Sequence, residues 1–147
     1  METKTDQLSI EKTALIRVAI VLLVILVATA YVLVHYHVFK NIWWTDVAYH
    51  FMGGFILAMI LSSYMLARIG KGREEGLKNF LMVVGAATLL GVLWEFFEYA
   101  QGQFFLINPK IDILGLGSEA GHYADTMQDL LLDILGASFF MALPRKR

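Results

Sequence analysis

The sequence predicts an all-α membrane protein: a bundle of four transmembrane helices with N- and C-termini cytoplasmic. Three features point there. Hydrophobic residues make up 58% of the 147 positions, more than an ordinary soluble domain carries. They gather in separate blocks long enough to cross a hydrocarbon core of about 30 Å. Basic residues gather in alternate connections, the pattern that sets orientation. The length suits a single integral membrane domain, residues 1–147. A net charge of -1 offers no bulk attraction to nucleic acid, and the lack of cysteine excludes disulfides and thiolate metal sites.

The first span is expected at about 13–36, around the charge-free run Val18 to Val34. Ala28-Thr29-Ala30 resembles a signal-peptide cleavage site, but the apolar run continues past it, so the segment is expected to stay as an uncleaved anchor. The second span, about 46–67, carries only Asp46 and His50 as ionisable groups before its cytoplasmic end. The third, about 79–99, carries Glu95 and Glu98 near its close. The fourth, about 125–143, begins "DTMQDLLLD" and reaches spanning length only if the turns bearing Asp125, Asp129 and Asp133 are included.

Orientation follows from the loops. Lys4, Lys12 and Arg17 flank the start, Arg68, Lys71, Arg73 and Lys78 surround the middle connection, and Arg145, Lys146 and Arg147 close the chain. The other two connections hold one lysine each, Lys40 and Lys110. Both termini and the middle loop are therefore expected inside, in a multi-pass membrane protein. Trp43, Trp44, Phe104 and Phe105 suit the outer interface. The long connection 101–124, broken by Gly102, Pro109, Gly115, Gly117 and Gly121, has enough apolar residues to lie on the outer leaflet.

This topology makes the unusual residues meet. Asp46 and His50 open span two, Glu95 and Glu98 close span three, and the three aspartates run inward along span four, all at the outer end. The spacings are i,i+4 for Asp46 and His50, i,i+3 for the glutamates and i,i+4,i+8 for the aspartates. Each set therefore shares one face of its helix. A lipid-facing acid would cost about 2.5–3.5 kcal/mol at mid-bilayer, so these faces are expected to point at one another or at water.

Blander roles compete for some of them. Asp46 and Asp125 each also fit a helix N-cap. His50 also fits a satisfied bundle histidine. Glu95 and Glu98 stand at a helix C-terminus, where the dipole disfavours negative charge, and need a cation or a shared proton. His35 and His37 read as interfacial anchors, and Gly53, Gly54, Gly85, Gly91 and Gly136 as packing residues. Glu119 and His122 in the long connection read as solvated groups or caps of the site.

With "DVAYHFMGGF", "WEFFEY" and "DTMQDLLLDILGA" in that order, the chain resembles the YjdF-like membrane proteins of the broader VanZ-like group. The resemblance covers roughly residues 43–142, with no motif in span one. It implies a small polytopic prokaryotic membrane protein without an established reaction. By position it marks Asp46, His50, Glu95, Glu98, Asp125, Thr126, Asp129 and Gly136, and Asp133 less securely.

Carboxylates crowded in one low-dielectric pocket do not all carry charge unaided; a divalent cation or retained protons must relieve them. The expected metal ligands are Asp46, His50, Glu95, Asp125 and Asp129, with Glu98 or Asp133 as general base. One imidazole among carboxylates suits Zn²⁺, Mn²⁺ or Fe²⁺, and oxygens alone suit Mg²⁺ or Ca²⁺. Two roles follow. One is hydrolysis or transfer of a lipid or lipid-linked head group, although no arginine stands among the motifs to hold phosphate. The other is a proton- or cation-coupled carrier or binding protein for a small cationic substrate, for which four short spans imply a homo-oligomer. A purely structural metal site is the third reading. Membrane lipids are partners in all three.

Overall fold

Helix formation outruns the apolar blocks at several ends. The computed structural model describes residues 4–36, 42–65, 75–107 and 122–144. They form four helices: α1 (Lys4–His35), α2 (Trp43–Met65), α3 (Glu75–Ile107) and α4 (His122–Ala142). No strand occurs among the described residues. Each helix overlaps one expected span, so the all-helical architecture is as predicted. α1 starts nine residues earlier than the apolar run requires. "KTDQLSIEK" contains no glycine or proline, and helix propagation needs neither burial nor apolarity. α3 runs eight residues beyond 99 and stops at Ile107, two short of Pro109, whose ring disfavours helix in the residue before it.

Among the described residues, three segments are long and apolar enough to cross a membrane: Thr13–Leu33, Trp44–Met65 and Gly76–Ala100. α4 differs. Its 21 residues would reach about 31 Å, but Asp125, Asp129 and Asp133 interrupt its apolar character. It qualifies on length and not on composition.

α2 is the organising helix. α4 packs most extensively on α2 and then on α3, while α1 contacts α2 alone among the described helices. Small residues set these distances. A Cβ on Gly54 would run into the Asp133 backbone, and one on Gly136 into the Phe51 carbonyl. The two glycines therefore let α2 and α4 touch backbone to backbone, the means by which helices associate where no water drives them together. Beyond that contact lies an apolar core of Ala19, Ala58, Met59, Val83, Val84, Ala87, Ala137 and Phe140. The Phe55 ring meets Phe140 edge-on at 5.2 Å between centroids. Buried Ser62 and Ser63 donate to the Met59 carbonyl at 3.1 and 2.8 Å. Their hydroxyls are thus satisfied without a partner helix.

α1 is held more lightly. Ala19 seats in the core, and the Tyr49 hydroxyl donates to Thr29 Oγ1 at 2.5 Å, while Val18, Val24 and Val27 point outward. Leu81, Leu89 and Phe96 do the same on α3. Apolar side chains turned outward on separate helices are what a hydrocarbon surround demands.

Candidate metal centre

The start of α2, the later part of α3 and the first half of α4 meet at one end of the bundle. His50 and Asp129 each stand seven residues into their helices, about 10 Å along the axis. Antiparallel α3 brings Glu95 and Glu98 to the same level. Asp46 and Asp125 are each the fourth residue of a helix. Both lie inside the first turn, so neither is the N-cap that its sequence neighbourhood also suggests. The start of α2 is instead tied by Thr45, whose hydroxyl donates to the Ile42 carbonyl at 2.6 Å.

His50 is the hub. Its ring is buried, and four carboxylates from three helices surround it. Nε2 lies 3.7 Å from Asp46 Oδ1 and 3.8 Å from Asp129 Oδ1. Nδ1 lies 3.7 Å from Asp133 Oδ1 and 4.0 Å from Glu95 Oε1. All four separations exceed hydrogen-bonding distance. They are close to the edge of a coordination polyhedron, since tetrahedral ligands about 2.1 Å from an ion stand about 3.4 Å apart. Two triads have donor atoms within 4.8 Å of one another: Asp46, His50 and Asp129, and His50, Glu95 and Glu98.

The burial is severe for such groups. Asp129 is 3% exposed and Asp133 5%. Asp129 Oδ1 and Glu95 Oε1 are buried without any hydrogen-bond partner. A buried acceptor left unpaired ordinarily costs about 1–3 kcal/mol, and more if charged. The two atoms face different nitrogens of one imidazole, Asp129 Oδ1 beside Nε2 and Glu95 Oε1 beside Nδ1. Arg17 and Lys78 are the only arginine and lysine whose side chains are described, and both stand toward the opposite end of the bundle. With no lysine or arginine among the described side chains at this end, relief must come from His50, from retained protons or from a ligand. With one imidazole and several carboxylates the donor set fits a divalent ion.

The expected site residues divide into groups. Asp46, His50, Glu95, Asp129 and Asp133 converge, and Glu98 joins through the second triad. Asp125 stays exposed and belongs to neither triad. Glu119 and His37 lie outside the described residues, as do the side chains of His35 and His122. Gly91 is the contributor that spacing left among plain packing residues. A Cβ there would collide with the Asp133 carboxylate, so this glycine opens a notch in α3 for that side chain. Its position four residues before Glu95, on the same helix face, was the available signal.

The fold and site thus define a membrane protein with an acidic, histidine-centred cluster at one end of a helical bundle. The chain belongs to the predicted membrane protein family DUF2238, which matches residues 3–146. The match takes in α1, where no motif had been recognised. No curated protein and no solved structure matches the chain significantly.

Proposed function

We propose that the cluster binds one divalent metal ion and that the protein uses it to hydrolyse or transfer a lipid or lipid-linked head group at the outer membrane face. The two unpartnered, buried carboxylate oxygens of Asp129 and Glu95, both turned toward His50, carry this reading. Asp46, His50 and Asp129 are the proposed ligands, with Glu95 beside them and Asp125 left out. Bound there, the ion would supply Lewis acidity and a way to activate water near neutral pH. Glu98, half-buried and grouped with Glu95 and His50, is the proposed base.

Supporting a membrane substrate are the three apolar helices and the place of Asp46, His50 and Asp129 in the first half of their helices. The distribution of lysine and arginine supports an arrangement with both termini cytoplasmic, α4 crossing as a fourth span and the cluster facing outward. The order of the three acidic motifs supports kinship with the YjdF-like proteins of the VanZ-like group and a prokaryotic plasma membrane.

A second reading has its own observation. The converging groups are five acids and one histidine, more acids than the charge of a single divalent ion balances if all ionise. That excess suits a carrier or binding protein for a cation, with a homo-oligomer completing the pathway. Elemental analysis of the purified, detergent-solubilised protein separates these readings when joined to lipid turnover. One equivalent of metal, lost in Asp129→Asn and reduced in Glu95→Gln, together with release of labelled head groups, is the expected result. Metal without turnover would leave a structural or transport site, and no metal in the native protein would end the metal proposal.

A further inference from the structure

The two faces of the His50 ring are not equivalent. Neutral imidazole offers one lone pair and one N–H, so the two triads that share His50 compete for it. Resting on the metal-site reading above, we propose that the ion sits on the Nε2 side with Asp46 and Asp129, while Asp133 accepts the Nδ1–H and fixes the ring. Asp133 is then a positioning residue, not the general base.

Three observations on different helices support the division. On the Nε2 side the Asp46 side chain is 38% exposed, which gives an ion and a substrate a way in. A metal site that does chemistry needs such an open position. On the Nδ1 side the Asp133 side chain is 7% exposed and held in the Gly91 notch, with its Oδ1 near the position a Gly53 Cβ would take. Water and substrate reach it poorly, so it is badly placed to handle a reacting proton. Finally, the 3.7 Å between Nδ1 and Asp133 Oδ1 closes to a hydrogen bond with less than about 1 Å of movement. Metal-bound histidines almost always donate their second N–H to such an acceptor.

The test uses the full-length protein in detergent, titrated with Co²⁺ and then loaded with Zn²⁺ for nitrogen NMR of its histidines. Asp133→Asn keeps an acceptor oxygen and Asp133→Ala does not. The expected result is a Co²⁺ affinity about 10- to 100-fold weaker in Asp133→Asn, and weaker again in Asp133→Ala, with one ion still bound at saturation. Gly91→Ala, which displaces the carboxylate without removing it, should move in the same direction. In the Zn²⁺-loaded native protein His50 Nε2 should carry the metal and Nδ1 the proton, and that proton's resonance should shift in Asp133→Asn. The inference is overturned if the tautomer is reversed. It is equally overturned if Glu95→Gln with Glu98→Gln abolishes binding while Asp46→Asn and Asp133→Asn bind as the native protein does. Failure of the native protein to bind Co²⁺ at all would instead overturn the metal site itself.

Discussion

The two ends of the bundle are built by the same helices and held by different forces. At one end α2, α3 and α4 present Asp46, His50, Glu95, Asp129 and Asp133 to one another. A few turns away the same helices present Ala58, Met59, Val83, Val84, Ala87, Ala137 and Phe140. The apolar end needs only small residues and close contact. The polar end gathers groups that repel one another and leaves two buried oxygens unpaired. An arrangement of that kind persists only if something outside the protein chain supplies positive charge, or if protons do. Packing therefore accounts for one end, and a cation or retained protons are needed at the other.

The close approach of α2 and α4, where Gly54 meets the Asp133 backbone and Gly136 the Phe51 carbonyl, joins the two regions and should be the most sensitive point. Gly54→Ala and Gly136→Ala each force the α2 and α4 backbones apart. Each should cost about 1–3 kcal/mol in reversible unfolding in mixed micelles and also weaken metal binding, because Asp133 shifts with its helix. Ile56→Val, at a fully buried position outside the acidic cluster, should cost about 0.5–1.5 kcal/mol and leave metal content unchanged. A loss of metal in that variant would show that the two ends are not separable. The smallest effect is expected at Asp125, exposed at the rim. Asp125→Asn should change stability by no more than about 0.5 kcal/mol and retain one equivalent of metal. Loss of metal there would bring Asp125 back into the ligand set.

The sequence was most informative where chemistry and helical period coincide. Acids at i,i+3 and i,i+4 spacing inside apolar blocks are best accommodated by facing inward, and four of them do surround His50, with Glu98 joining through the second triad. Helix ends were less legible. Apolar runs mark where a membrane is crossed rather than where hydrogen bonding stops, so α1 begins at Lys4 and α3 continues to Ile107. Spacing also did not separate Asp125 from Asp129. Both lie on one face of α4, and only the distance to the neighbouring helices divides a rim residue from a buried one. The role of Gly91 was hidden for a similar reason. A glycine in an apolar helix looks the same in sequence whether it admits a neighbouring backbone or a carboxylate.

X-ray absorption at the edge of the bound metal, on native protein and on His50→Ala, tests the ligand requirement most directly. The expected spectrum shows nitrogen and oxygen neighbours at about 2.0–2.2 Å with the outer-shell scattering of one imidazole, and the ion is missing from the variant. An ion held by oxygens alone and undiminished in His50→Ala, or a native protein that binds none, would contradict it.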